Sequence, residues 1–471
     1  MDDHHKPRLE DLFFTRRQFL NRMGMGFGAL SLAGLLPQAL AGSETQRNLS
    51  PLAPRKPHFP AKAKRVIHLF AQGAPSHIDT FDPKPVLSQF DGKSLPGEDG
   101  FAYASPFKFQ KRGKSGTEVS EVFQHVGEHV DDMAVIRSMH TDIPAHEIST
   151  IMMNTGSGRI VKPSLGSWVN YGLGSENQNL PGFVVLSSGS PLGGSQNWRS
   201  AFLPGIFQGT FINAKHTDIE KLIENIRNRY TTQKEQRAQL DLLVQLNEKH
   251  SKQMQQDAAL EARIQSFELA YQMQMEATDA FDIKKEPVRI QQMYRADTEP
   301  GRQMLIARRL LEKGVRFVQV WQSGWDHHQN LETSLRRKAG EWDKPIAAFL
   351  TDLKERGMFD ETLVVWGGEF GRTPTRQLPN ATNNFEVPGR NHNHKGFSTW
   401  LAGGGVKGGT VYGATDQFGG AAVENKVHVH DLHATVLALL GFDHEKLTYR
   451  YNGRDFRLTD VYGNVVKDLI A

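Results

Sequence analysis

Histidines, carboxylates and basic residues recur in this chain in five short clusters. His77, Asp79 and Asp82 stand in "QGAPSHIDTFDPKP"; His140, Asp142, His146, Glu147 and Ser149 stand in "HTDIPAHEIST". "GWDHHQN" carries Asp326, His327 and His328, and "GGEFGRTP" carries Glu369 and Arg372. "GRNHNHKG" adds Arg390, His392, His394 and Lys395. Carboxylate oxygens and neutral imidazole nitrogens around a common point suit Zn²⁺, Mn²⁺, Ca²⁺ or a related divalent ion. The 471 residues include no cysteine, so thiolate zinc sites and disulfides are excluded. Arginine and lysine among such ligands suit the oxyanion of a sulfate or phosphate.

Spacing narrows the candidates. Asp326 and His328 are two residues apart, so an extended backbone puts both on one side and turns His327 to the other. His392 and His394 repeat that spacing, in a stretch whose loop composition fits a solvated turn as well as a ligand pair. The small neighbours of Glu369 in "WGGEFG" permit close approach of backbone and ligand; the plainer alternative is a turn carboxylate paired with Arg372. The candidate ligands are therefore His77, Asp79, Asp326, His328, Glu369, His392 and His394. His428 and His430 alternate as on one face of a strand, with Asp431 capping the helix "LHATVLALLG"; both histidines are read as structural, like His125 and His129.

The elements that must position these clusters are apolar runs. Strands are expected at 65–71, 133–139, 182–188, 314–322, 362–368 and 397–403. Most runs are continuous rather than alternating, as in strands buried on both faces of a largely parallel sheet. Helices between them make a three-layer α/β sandwich. In such sheets ligands bind beyond the carboxyl ends of the strands, where four of the five clusters fall; the fifth precedes its strand. Residues 217–300 depart from this pattern. They are rich in Gln, Glu and Lys, and read as an insertion of two or three long helices.

The N-terminus has the form of an export signal. Arg16-Arg17 precedes an apolar run from Met23 to Leu36, and Ala39-Leu40-Ala41 offers small residues for cleavage before Gly42. The run is shorter than the roughly 20 residues of a membrane span. The expected organisation is a twin-arginine leader at 1–41, a linker at 42–63 and the α/β domain at 64–471. The mature protein is then periplasmic or secreted, with the twin-arginine machinery as a partner and no stable membrane span. Its 56 basic and 52 acidic side chains leave a net charge of +4 without basic clustering, which argues against a nucleic-acid surface.

The ordered motifs "GAPSHIDTFDPKP", "HEISTIMMNTG", "SGWDHHQN", "TLVVWGGEFGRTP" and "RNHNHKGFSTWLAGGG" resemble the exported "domain of unknown function 1501" family. That family is grouped with the alkaline phosphatase and sulfatase superfamily. "VVWGGEFG" is similar to the sulfatase segment "VVFTSDHG", with Glu369 at a metal-binding Asp and Phe370 at a His. Counting back from Thr155-Gly156, the sulfatase nucleophile position falls on His146. The chain departs from sulfatases in having no Cys or Ser there and no adjacent Asp pair after the first strand. The resemblance implies a metal-dependent hydrolase of sulfate or phosphate esters. His146 would be its nucleophile or general base, Ser149 a substitute nucleophile, and Arg372 and Lys395 the stabilisers of an anionic transition state. The alternative it leaves is a degenerate fold that binds a sulfated glycan or an envelope partner.

Overall fold

The computed structural model describes residues 52–222, 230–253, 267–269, 271–272, 279–377 and 387–471. The leader at 1–41 and the first part of the linker lie outside the described residues. The described part of the linker runs against the body. Leu52 and Ala63 are buried, and the Ala63 N–H donates to the Leu439 carbonyl at 2.9 Å.

Strand β1, Arg65–Gln72, is buried along nearly its whole length. Ile67, Leu69 and Ala71 join one apolar cluster, while Val66 and Phe70 join another. A strand that feeds cores on both faces needs an unbroken apolar run, because successive side chains point to opposite sides. The sheet continues with β2 (Met133–His140), β3 (Phe183–Ser187), β4 (Thr210–Asn213), β5 (Phe317–Ser323) and β6 (Thr362–Gly367). A separate hairpin pairs β7 (Gly371–Arg376) with β8 (Arg390–Asn393), and β9 (Phe397–Ala402), β10 (Thr410–Tyr412) and β11 (Val427–His428) return to the main sheet. Its order is β10-β2-β9-β6-β1-β5-β3-β4, with β11 also against β2. Every pairing in it is parallel except those of β9 with β2 and β6.

Helices cover both faces. On one lie α4 (Glu299–Glu312) and α5 (Leu331–Glu355), which contribute Leu305, Leu310, Leu335, Ile346 and Phe349 to the first core. On the other lie α1 (His146–Thr155), α2 (Leu165–Leu173) and α6 (Val429–Leu439), which bring Met153, Trp168, Val169 and Leu437. Each such side chain is worth about 1.5–3 kcal/mol on burial, so the sheet is a stiff base for the loops at its ends. The fold is thus the expected α/β layering around a mostly parallel sheet. Within the insertion, α3 (Gln233–Gln253) packs Leu240 and Leu243 on Phe267 and Tyr271 in a small core of its own. No helix of the described residues is long and apolar enough to cross a membrane.

One local expectation is corrected. His430 does not share a strand face with His428: the strand ends at His428, which caps α6 in a reciprocal box with Asp431, and His430 lies in the first turn. A short polar side chain competing for free amide groups stops a strand as readily as alternation extends it.

Candidate metal centre

The parallel strands end at one rim, and several of the loops that follow them deliver polar clusters there. β5 leads to Asp326, β6 to Glu369, and β2 to the loop that opens α1 at His146. β9 runs the other way, so the segment before it, 390–396, reaches the same rim. The loop after β1 passes beneath. Gly73 has φ +111°, and a Cβ there would stand 2.6 Å from the Asp326 backbone nitrogen, so only glycine fits.

Four side chains converge. One donor atom each from His146, Asp326, His328 and His392 lies within 4.8 Å of the other three. Asp326 Oδ1 is 3.2 Å from His146 Nε2, 2.9 Å from His328 Nε2 and 3.7 Å from His392 Nε2. The Nε2 atoms of His328 and His392 are 2.9 Å apart. The far sides of the rings explain this orientation. His146 Nδ1 faces Glu369 Oε1 at 2.6 Å, His328 Nδ1 faces Gln377 Oε1 at 3.3 Å, and His392 Nδ1 faces the Pro144 carbonyl at 3.0 Å. Each of these oxygens accepts, so a ring that gives its Nδ1 proton to the outer acceptor is free to offer an Nε2 lone pair to an ion at the centre. Outer acceptors that fix the tautomer are the usual companions of metal-ligating histidine. His146 Nε2 is buried without a hydrogen-bond partner of good geometry. The group fits a metal ion.

Charge is concentrated here. Burial alone would raise the Asp326 pKa, but the close approach of His146, His328 and His392 and the Arg372 charge hold it far below the usual carboxylate range. Burial would lower the His146 pKa; the flanking carboxylates of Asp326 and Glu369 outweigh it and push it up to about 9. Without an ion, a proton is the cation between the two carboxylates.

The residues behind the centre are framework. Glu369 is fully buried and accepts from the Gly73 N–H at 2.9 and 3.2 Å besides contacting His146. It lies outside the four-residue group, one step behind His146, which corrects its expected place as a ligand. Arg372 is also spent. Its Nη2 donates to Asp326 Oδ1 and to the Gly73 carbonyl, both at 2.5 Å, and its Nε donates to the Ala74 carbonyl at 2.9 Å. Its Nη1 donates to the Arg390 carbonyl at 3.2 Å. A guanidinium so engaged steadies Asp326 rather than facing a substrate. Phe370 walls the group, its ring centroid 4.8 Å from that of His146 and 4.9 Å from that of His392.

The other candidates lie elsewhere. Asp79 is wholly buried in a two-pronged pair with Arg390, at 2.7 and 3.1 Å. His77 is buried with Nε2 2.9 Å from the Gly419 carbonyl. Ser149 is buried and donates to the Ile143 carbonyl, so its hydroxyl is taken. Lys395 is exposed and acts on Glu98, opposing the upward push of burial on that carboxyl. His394 has its pKa lowered by burial and by Lys395, with Asp142 and His140 as its other charged neighbours. Of the adjacent pair, His328 faces the group, whereas His327 is buried with its ring centroid 6.4 Å from that of Trp325. Sequence reasoning missed the part of Gln377 and the Pro144 carbonyl, and no spacing rule points to either.

The family model described as "Protein of unknown function (DUF1501)" matches residues 63–470. The chain belongs to this family. No match was found among curated proteins. Among solved structures, the chain is similar to the lipoteichoic acid synthase LtaP from Listeria monocytogenes, at 9% identity and a TM-score of 0.38, over 84% of this chain and 74% of that one. It is also similar to the PsFucS1 sulfatase from Pseudoalteromonas sp., at 13% identity and a TM-score of 0.35, over 83% and 69%. A third likeness is to the alkaline phosphatase from the Antarctic bacterium TAB5, at 10% identity and a TM-score of 0.33, over 74% and 94%.

Proposed function

We propose that this DUF1501 protein is an exported, metal-dependent hydrolase of sulfate or phosphate esters. One observation carries the reading: three imidazoles, each with Nδ1 held by an outer acceptor, aim Nε2 at one carboxylate oxygen on the rim of a parallel sheet. His146, Asp326, His328 and His392 would hold the ion. Three nitrogens and one oxygen suit Zn²⁺ or Mn²⁺ better than Ca²⁺, which takes six to eight oxygens. A bound ion would supply Lewis acidity toward an ester oxygen and an acidified water. Glu369 keeps His146 in the right tautomer, Arg372 holds Asp326 in register, and Phe370 excludes water from one side. His146 serves as a ligand, not as a nucleophile, because Nε2 cannot do both.

Export rests on the twin-arginine pattern at Arg16-Arg17, and the sulfated or phosphorylated substrate on the motif resemblance. A binding-only role for a sulfated glycan has one observation in its favour: Ser149, the expected substitute nucleophile, already donates its hydroxyl to the Ile143 carbonyl. Elemental analysis of protein purified without chelator, followed by turnover of sulfate and phosphate esters with added Zn²⁺ or Mn²⁺, decides between them. Hydrolysis lost in Asp326→Ala supports the enzyme. Retained metal in that variant overturns the centre, and bound metal with no turnover on any ester leaves the binding role.

A further inference from the structure

We propose that Asp79 and Arg390 form a positioning clamp that sets the geometry of the metal centre, an inference that rests on the metal reading above. The pair is separated by 311 residues in sequence and both side chains are fully buried. Arg390 Nε and Nη2 donate to the two oxygens of Asp79, Nη1 donates to the Thr373 carbonyl at 3.3 Å, and the guanidinium lies 4.7 Å from the Tyr103 ring centroid. Ser76 Oγ donates to Asp79 at 2.5 Å, so the carboxylate is itself oriented.

The Arg390 backbone joins the ligand-bearing segments. Its N–H donates to the His327 carbonyl at 3.1 Å, which ties it to the loop of Asp326 and His328. Its carbonyl accepts from Arg372, whose other nitrogen holds Asp326. Two residues on stands His392. The β7–β8 ladder shifts register between Arg390 and His392, so ladder pairing alone does not fix where His392 points. The side-chain fork into Asp79 supplies the missing constraint. A lysine could not reproduce it, because an ammonium lacks the planar two-pronged geometry.

The test uses the full chain, stripped of metal and titrated with Co²⁺, whose visible absorption reports coordination geometry. In Arg390→Lys and Asp79→Asn, Co²⁺ affinity should fall about 10- to 100-fold, the usual loss for outer partners of metal ligands. The spectrum at saturation should change as well. Tyr103→Leu leaves both buried charges in place, and should weaken affinity about two- to fivefold in the same direction. It serves if the clamp variants fail to fold. Variants that unfold more easily yet keep wild-type affinity and spectrum while folded would reduce the pair to a structural one and overturn the inference. His328→Ala separates the two levels. If it loses Co²⁺ while the clamp and Tyr103 variants bind normally, only the clamp is wrong; if it binds as wild type, the metal centre itself falls.

Discussion

His77-Ile78-Asp79 and Asp326-His327-His328 are near twins in sequence. Each places an acid and a histidine two residues apart, just beyond one of two neighbouring parallel strands. Their fates differ. Asp79 is 0% exposed and fully engaged by Arg390, and His77 is turned onto the Gly419 carbonyl. Asp326 is 44% exposed at the rim and shares one oxygen with three imidazoles. Asp79 has both oxygens taken by a buried two-pronged guanidinium and no open side, whereas Asp326, which Arg372 holds through Oδ1 alone, still faces three imidazole nitrogens at an open rim and can attract a cation. Partners supplied from distant segments, rather than the local motif, decide which twin can work as a ligand.

That contrast can be broken by experiment. The largest effect is expected from Asp326→Ala, which should lower divalent-ion affinity by more than about 100-fold, beyond the range for outer partners; mass spectrometry of the purified variant checks it. Asp79→Ala should act on the fold as well as on the clamp, because it strands a buried guanidinium at a cost of about 3–5 kcal/mol. Urea unfolding reads that loss, and a small one would mean that the two acids are not different in kind. Glu369→Gln keeps the shape but weakens the acceptor behind His146, so affinity should fall about 10- to 100-fold without loss of folding.

pH sharpens the comparison further. The His146 pKa is raised from 6.5 to about 9, so in metal-free protein its contribution to stability is complete below pH 6.5. That contribution is lost as pH climbs through about 9, and the melting temperature should fall over this window. Ion binding must displace the same proton, so affinity should rise by up to about tenfold per pH unit across it. A flat affinity profile would remove His146 from the ligand set. The smallest effect belongs to Ser149→Ala, which should cost about 1 kcal/mol for one hydrogen bond and leave metal content unchanged. A collapse of ester turnover in that variant would restore Ser149 as a nucleophile.

Much of the framework is legible in the chain. Six apolar runs become six sheet strands, with ends shifted by three residues at most. Burial on both faces demands continuity, and continuity is visible in one dimension. The short strands Thr210–Asn213, Gly371–Arg376, Arg390–Asn393 and Thr410–Tyr412 are not legible in this way. They are polar or very short, and exist because a partner strand lies beside them. The reversed direction of β9 is also invisible locally, yet it brings His392 to the rim.

By itself, the sequence determined the sheet-forming segments, the absence of thiolate chemistry, the family, and a shortlist of residues able to bind a cation. It also separated His328 from His327, since side-chain alternation is a local property of extended chain. Only the tertiary structure decided that Asp79, His77 and Arg372 are framework, that Glu369 stands behind His146, and that His392 joins the group while His394 does not. The physical reason is that a donor atom's availability depends on what else reaches it. For these residues the competing partners come from as far as 342 positions away.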